Sequence, residues 1–379
     1  MNRKIDKKVI VGLSGGVDSS VSCALLLEQG FSVEAAFMKN WVPRSPGEGL
    51  LICPLVADEK DARLVASKLK INLSVLSFEN EYRDQVVDYL FAEYAVGRTP
   101  NPDVLCNSKI KFKAFLEKVL EWGADFVATG HYVRKGEKEI NGKKIFTLLK
   151  AVDGSKDQSY FLHQLKQEQL ARCLFPLGEM LKTEVRVKAK ELGLATAIKK
   201  DSQGICFVGE VAIKEFLKER LAPKTGDIIL GDGQKIGEHD GAWYYTIGQR
   251  RGLGVGGGGI PYYLVDKDIE KNILIVARGD KDDALFSQGL VMGEVNWIAG
   301  FSPLDLTKEF TAKIRYRQSD QVCHLQQIKN SGEPASTRNR GEWQLNFKEK
   351  QRAVTPGQFA VIYDGDECLG GGVILRAIK

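Results

Sequence analysis

Apolar and polar positions alternate in blocks from the start of the chain. Lys8–Leu13 is a short apolar strand, followed by a glycine-rich turn and by helical spacing over Ser19–Gln29, closed at Gly30. Phe31–Met38 is a second strand. Asp58–Lys70 has the periodicity of an amphipathic helix, Leu73–Phe78 reads as a third strand, and Glu81–Val96 and Lys109–Trp122 as helices. Phe126–Thr129 is a further buried strand. Strands alternating with helices predict a parallel sheet covered on both faces, with ligands at its carboxyl edge.

After about Gly209 the pattern changes. Thr225–Gly241 is turn-rich with short strands, and Leu253–Gly259 (LGVGGGG) is a loop or an anion nest. From about Leu290 come short alternating strands, Phe310–Tyr316, Cys323–Gln327, Trp343–Phe347, Phe359–Tyr363 and Gly371–Ile378, with turn signals such as Asp364-Gly365. An antiparallel barrel is expected there. The expected organisation is an α/β chain in three parts: a parallel-sheet domain over residues 1–208, a small mixed β-rich domain over 209–285, and a C-terminal antiparallel β-barrel over 286–379.

Composition narrows the class. The chain has 379 residues, 43% of them hydrophobic, enough for substantial cores. No apolar run is long enough for a membrane span, and the first apolar run is too short for a signal peptide. Seven scattered cysteines suit reduced thiols better than a disulfide framework, so a cytoplasmic location without membrane association is expected. A net charge of +5 permits a nucleic-acid partner without requiring one. Between Lys182 and Lys200, six basic residues (Lys182, Arg186, Lys188, Lys190, Lys199, Lys200) face two acidic ones. That run is either a solvated helix face or a contact to phosphates.

Candidate chemistry begins where strand VIVGL enters Ser14-Gly15-Gly16-Val17-Asp18-Ser19-Ser20 and then a helix. The glycines let backbone approach a ligand, and the N–H groups opening the helix favour an anion. Ser14, Ser19 and Ser20 add hydroxyls. Asp18 is out of place in an anion site unless a cation shares it, which suggests Mg2+. The segment lacks the Gly-Lys-Ser/Thr ending of a Walker loop. Ser14–Ser19 resembles the pyrophosphate-binding loop of the PP-loop ATPases, an adenine nucleotide hydrolase-like fold. The resemblance implies that ATP is cleaved between its α- and β-phosphates and that a substrate is adenylated.

Further segments carry a closer resemblance: GRTPNPDVLCNSKIKF at Gly97–Phe112, ATGHY at Ala128–Tyr132, KDQSY at Lys156–Tyr160, KDSQGICFVG at Lys200–Gly209, GQRRGL at Gly248–Leu253, RYRQ at Arg315–Gln318 and TPGQ at Thr355–Gln358. In order and spread over nearly the whole chain, they resemble the tRNA-specific 2-thiouridylases. From the residues alone, Cys106 precedes Asn107, a plausible helix N-cap, and Cys206 follows Lys199 and Lys200. Both settings favour thiolates. Cys23, Cys173, Cys323 and Cys368 sit in apolar contexts and read as packing residues, and Cys53 is ambiguous.

The resemblance implies that Cys206 carries a persulfide and Cys106 resolves it. A disulfide intermediate would then form as sulfur passes to a uridine, at wobble position 34, adenylated at O2. Asp103 would act as a base or hold the base edge. It places Gly12, Leu13, Ser14, Gly15, Gly16, Val17, Asp18, Ser19, Met38 and Gly130 at the nucleotide. Asn101, Pro102, Asp103, His131, Lys156, Asp157, Gln158, Arg315, Tyr316 and Gln358 fall at the tRNA, His131 without an acid–base role. Expected partners are the anticodon loop of tRNA and a persulfide donor protein fed by a cysteine-desulfurase relay. A resident metal is not expected; an iron–sulfur cluster on Asp103, Cys106 and Cys206 is the alternative to the persulfide scheme. Further phosphate contacts are expected from the Lys182–Lys200 run, from Arg250-Arg251 and from Arg315 and Arg317, which strand alternation would put on one face.

The chain departs from that family at VPRSPGEGLLIC (Val42–Cys53), where an acidic stretch is usual, and at Gln203, where threonine is usual. Other PP-loop synthetases or lysidine-type ligases, and a non-catalytic tRNA-binding protein, are the competing readings. The enzymes among them need no pair of spaced cysteines, and the intact SGGVDSS of Ser14–Ser20 argues against the non-catalytic reading.

Overall fold

The computed structural model describes residues 5–40, 54–200, 213–255, 259–328 and 341–379. β1 (Lys8–Gly12) leads into α1 (Val17–Glu28), β2 (Ser32–Lys39), α2 (Pro54–Leu69) and β3 (Leu73–Ser77). A helical stretch over residues 79–95 follows, then another over residues 102–121, then β4 (Phe126–Ala128). β5 (Val133–Ile140) and β6 (Lys143–Lys150) form a hairpin, and β7 (Cys173–Leu174) precedes a helix over Lys182–Glu191. The first sheet has the order β3-β2-β1-β4-β7 with parallel pairing throughout. Because β2 lies on one side of β1 and β4 on the other, the carboxyl end of β1 is the point where strand order reverses, the place where such sheets bind ligands.

Alternation along β1 separates two cores. Val9, Val11 and Leu13 face α1 and the Lys182–Glu191 helix, packing with Val21, Leu26 and Val185. Ile10 faces the opposite side, with Tyr82, Cys106, Ile110 and Phe112. The helix bearing Cys106 is thus buried against the other face of the same sheet.

Two smaller sheets follow. β8 (Gly226–Leu230), β9 (Lys235–His239), β10 (Tyr262–Asp268) and β11 (Ile273–Arg278) form a mixed sheet in the order β10-β11-β8-β9, with β8 and β11 parallel. β12 (Phe286–Trp297), β13 (Phe310–Lys313), β14 (Gln321–Gln327), β15 (Trp343–Arg352), β16 (Phe359–Asp364) and β17 (Glu367–Ile378) run antiparallel, and β12 pairs with β17 to close a six-stranded barrel. Its interior holds Phe310, Trp343, Leu345, Ile362 and Ile374. The predicted fold class, a parallel-sheet unit, a small mixed sheet and a terminal barrel, is the observed one.

Three local expectations need correction. The helix expected to begin at Lys109 begins at Pro102, because Asn101 caps it: its Oδ1 accepts from the N–H groups of Asp103 and Val104, both at 3.2 Å. Asn-Pro-Asp is a complete start signal, with a cap, proline at the first helical position and an acid in the first turn. Asn107 is therefore inside the helix, not its cap. The strand expected over Phe310–Tyr316 stops at Lys313, and Arg315, Tyr316 and Arg317 lie in the turn after it. The alternation argument for the two arginines fails for that reason. Besides these, a pairing that the residue pattern did not predict is present: β5 and β6 extend the barrel sheet through Cys368↔Leu148 and Glu367↔Leu149, tying the N-terminal part of the chain to the C-terminal barrel.

Candidate active site

The loop between β1 and α1 is held in shape by its own hydroxyls. Ser14 N–H donates to Ser19 Oγ at 3.1 Å, and Ser19 Oγ and Ser20 Oγ donate to Gly16 O at 3.2 and 2.7 Å. Ser20 is buried and also accepts from Thr196 Oγ1, so it serves the loop and not a ligand. Ser14 is exposed. α1 starts after Gly16 with no side chain capping its first turn, which leaves the N–H groups around Val17 and Asp18 for an anion. Glycine is required at two points. Gly15 has φ 75°, and a Cβ there would stand 2.1 Å from Asp58 O; a Cβ on Gly130, just after β4, would stand 2.7 Å from Ser19 N. Leu13 is buried, and the Met38 side chain lies across the end of β1, with its Cε 3.3 Å from where a Gly12 Cβ would be.

The cation that shares the loop with Asp18 is a lysine. Lys182 Nζ donates to both Asp18 carboxylate oxygens, at 2.7 and 2.8 Å, and Tyr132 Oη donates to Oδ1 at 2.7 Å. Lys199 Nζ reaches Gly15 O at 2.9 Å, Asp58 Oδ1 at 2.7 Å and Asp61, fastening the loop to α2. Lys188 pairs with Glu28, and Arg186 donates to the carbonyls of Ala197 and Lys199. Four of the six basic residues of the 182–200 run are thus engaged within the chain. Lys182 and Lys199 grip the loop between β1 and α1, at Asp18 and at Gly15 O. One signal for this was in the sequence. A lysine opening a helix opposes the helix dipole and needs a compensating anion, here Asp18.

On the other face of the sheet, Asn101, Pro102, Asp103 and Cys106 form the first turns of the 102–121 helix. Asn107 Nδ2 donates to Asp103 O at 2.9 Å. Cys106 is fully buried. Further along, Phe115 flanks Gly12 and Phe112 packs on His131 with ring centroids 5.7 Å apart. His131 is buried, shares a hydrogen bond with Thr129 Oγ1 at 2.8 Å, and is held neutral by burial and the nearby Lys111 charge, which push its pKa well down. Gln358 belongs to this framework: its Nε2 donates to Thr99 O at 2.8 Å and to Pro100 O at 3.2 Å. Gly357, φ 92°, lets the barrel turn approach Thr99 closely. Cys206 lies outside the described residues, as do Cys53, the 42–53 segment and Gln203.

The remaining RNA candidates separate into framework and surface. Asp157 is buried and accepts from the N–H groups of Ala151 and Ser159, both at 3.2 Å, and from Ser159 Oγ at 2.8 Å. Gln158 Oε1 accepts from Tyr132 N–H, positioning the tyrosine that reaches Asp18. Tyr316 packs on Phe161 with centroids 4.3 Å apart. Arg315 donates to the carbonyls of Arg352 and Ala353. Lys156 is half-buried in a turn; Arg250 and Arg251 are exposed in another. Residue patterns did not single out Tyr132, and named Lys199 only as one of the basic run and a neighbour of Cys206; in the fold they reach Asp18 and Gly15 O. Cys23, Cys173, Cys323 and Cys368 are buried as expected, and burial pushes the thiols of Cys23, Cys173 and Cys323 up to about 12, a setting for packing and not for reactivity.

Among the described residues no helix is long and apolar enough to cross a membrane. Three family models match in sequence: a tRNA methyl transferase HUP domain over residues 7–210, a tRNA methyl transferase PRC-barrel domain over residues 214–278, and an aminomethyltransferase beta-barrel domain over residues 287–374. A tRNA-specific 2-thiouridylase MnmA of Marinomonas sp. (strain MWYL1) is 50% identical over 97% of this chain and 91% of its own. One from Pseudomonas fluorescens (strain SBW25) is 50% identical over 97% of this chain and 94% of its own. A solved U34-tRNA thiolase NcsA from Methanococcus maripaludis, with its [4Fe-4S] cluster, covers 58% of this chain and 68% of its own at 20% identity, but its TM-score of 0.34 carries no argument. With half of all positions identical along nearly the full length of both chains, and the loop, the Asn-Pro-Asp turn and the barrel in place, the chain belongs to the tRNA-specific 2-thiouridylases.

Proposed function

We propose that this protein uses ATP to replace the O2 oxygen of uridine 34 in tRNA with sulfur. The observation that carries the reading is the loop itself. It is a preformed anion cradle at the reversal point of a parallel sheet, with Lys182 poised at Asp18 and the Cys106 helix packed beneath the same strand. ATP would lie with its phosphates over the N–H groups of residues 14–19 and its adenine by Met38. Lys182 moves from Asp18 to the departing pyrophosphate. Mg2+ fits only as an ion carried by the phosphates. Asp18 is a single carboxylate already holding Lys182 and Tyr132, and among the described residues no three acidic, histidine or cysteine side chains cluster as a metal site.

The uridine O2 attacks the α-phosphorus and pyrophosphate leaves. The terminal sulfur of a Cys206 persulfide then attacks C2, and AMP departs with the oxygen. The Cys106 thiolate attacks the inner sulfur of Cys206, which breaks the S–S bond to the transferred sulfur and leaves a Cys106–Cys206 disulfide for a thiol reductant. A sulfur-relay protein would supply the persulfide. Asn101 and Asp103 meet the flipped base, at a cost of a few kcal/mol repaid by pocket contacts. Cys106 is shut inside the core, so this scheme requires tRNA binding to uncover it.

The test is nucleoside mass spectrometry of tRNA thiolated in vitro with wild-type protein and with Cys106→Ser. The reading expects 2-thiouridine from the first and its loss in the second, with tRNA-dependent pyrophosphate release retained. Unchanged thiolation by Cys106→Ser would refute the two-thiol scheme.

A further inference from the structure

All three parts of the chain hold residues 97–101, the segment that leads into the Cys106 helix. Arg98 is tied to the preceding helix, its Nε donating to Glu93 Oε2 at 2.6 Å. From the barrel, Pro356 O accepts the Thr99 N–H at 2.9 Å, and Gln358 holds the Thr99 and Pro100 carbonyls. The mixed sheet adds two contacts. Ile269, in the turn between β10 and β11, presses on Gly97, where φ is 79° and a Cβ would stand 2.5 Å from Ile269 Cγ1. Thr246 Oγ1 shares a hydrogen bond with Thr99 Oγ1 at 3.2 Å, across 147 positions of sequence.

Thr246 is itself fixed. Its N–H donates to Gln249 Oε1 at 3.0 Å, and Lys267 Nζ donates to the neighbouring Tyr245 carbonyl at 2.6 Å. The Gly248 N–H donates to Leu264 O of β10 at 2.7 Å. Gly248 also lies against the barrel, where a Cβ would stand 2.6 Å from Ala353 Cβ. A hydroxyl held by such a frame meets Thr99 with little further loss of freedom. Thr99 is 7% exposed, so its hydroxyl has little water to turn to when that partner is removed.

Two prolines carry the constraint onward. Pro100 and Pro102 fix φ on either side of Asn101, and each also restricts the residue before it, so Thr99 and Asn101 are both confined. Few soft torsions remain between the Thr99 hydroxyl and Asn101, whose Oδ1 caps the helix at the N–H groups of Asp103 and Val104, both at 3.2 Å. A shift at Thr99 is therefore passed to the Asn101–Asp103 turn and to the helix start that bears Cys106.

We propose that Thr246 is a positioning residue for sulfur transfer: through the Thr99 hydroxyl it sets the Asn101–Asp103 turn at which the target base is received. The inference rests on the function proposed above and deepens it, by giving the mixed sheet a part in the reaction.

The test is a double-mutant cycle on T246V and T99V, with T246S as the rescue. Valine keeps the shape and removes the hydroxyl, and serine restores it. Single-turnover formation of 2-thiouridine at saturating ATP and tRNA is measured, with the Kd for tRNA, the Kd for ATP and the urea midpoint in parallel. T246V should turn over about tenfold more slowly, as expected of a misplaced reacting group, with both Kd values within about twofold of wild type. T246S should return to within about twofold of the wild-type rate. T99V should be as slow as T246V, and the double variant no slower than either, because the two hydroxyls form one bond. A wild-type rate in T246V, with or without a lower urea midpoint, would overturn the inference and leave Thr246 a structural residue. So would T246S as slow as T246V, or losses that multiply in the double variant. If T246V does not fold, T99V decides: a slower rate at unchanged Kd supports the inference, and a wild-type rate overturns it. A wild type that forms no 2-thiouridine would overturn the functional reading, and the inference with it.

Discussion

Lys182 gives the sharpest test, because charge pattern and tertiary structure assign it different work. As one of a basic run it would contact tRNA phosphates. In the fold it is bound to Asp18 inside the nucleotide loop, with its side chain 11% exposed and that of Asp18 32% exposed. Lys182→Met keeps the aliphatic stem and removes the charge. Breaking a fully buried ion pair costs about 3–5 kcal/mol, and the third of Asp18 open to solvent reduces this to about 1–2 kcal/mol of stability. The kinetic effect should be larger. A charged donor aimed at the departing pyrophosphate in a water-poor site is worth about 3–4 kcal/mol, or roughly 100- to 1,000-fold in rate. The assay is tRNA-dependent pyrophosphate release at saturating ATP and tRNA, with tRNA affinity measured in parallel against salt. The expected result is a large fall in release with tRNA affinity and salt slope unchanged. Release within about threefold of wild type, together with a salt slope reduced by about 0.7–0.9, would refute the reasoning and return Lys182 to the RNA surface.

Other outcomes follow from the same geometry. Gly130→Ala places a methyl 2.7 Å from Ser19 N and 2.9 Å from Asp18 C, so the loop must shift. We expect about 1–3 kcal/mol of destabilisation and about a 100-fold loss of ATP turnover, checked by urea unfolding and pyrophosphate release. Gln358→Ala frees the Thr99 and Pro100 carbonyls without touching the nucleotide loop. Thiolation at saturating tRNA should fall about tenfold while ATP binding is unchanged, as read by nucleoside analysis and calorimetry. His163 is buried and neutral, its Nδ1–H donating to Tyr160 O, and burial lowers its pKa from 6.5 to about 4. A depressed histidine pKa means that the unfolded chain binds the proton first. Its contribution is therefore complete above about pH 6.5 and is lost as pH falls towards 4, by about 2 kcal/mol between pH 7.5 and 5. Urea midpoints across that window should drop, and His163→Gln should flatten the drop.

Much of the site was legible because its signals are local. Strand, glycine pair and helix lie consecutively, and the two cores on either side of β1 follow from alternation at Val9, Ile10 and Val11. Even the missed elements left local traces. Asn101-Pro102-Asp103 carries a full helix start, and Asn141-Gly142, both at positive φ, marks the β5–β6 hairpin, whose lysine-rich strands hid their alternation.

The amino-acid sequence by itself determined the order of elements, the fold class, the anion loop and the capped turn before Cys106. These depend on backbone preferences and on side chains within a few positions of one another. Only the tertiary structure decided which charge answers Asp18, since Lys182 is 164 positions away. It also decided that Gln358 holds Thr99 across 259 positions and that β6 joins β17. A charged or amide side chain looks the same in sequence whether solvent or a distant partner satisfies it; burial makes the choice, because removing such a group from water is tolerable only where the fold supplies its counterpart.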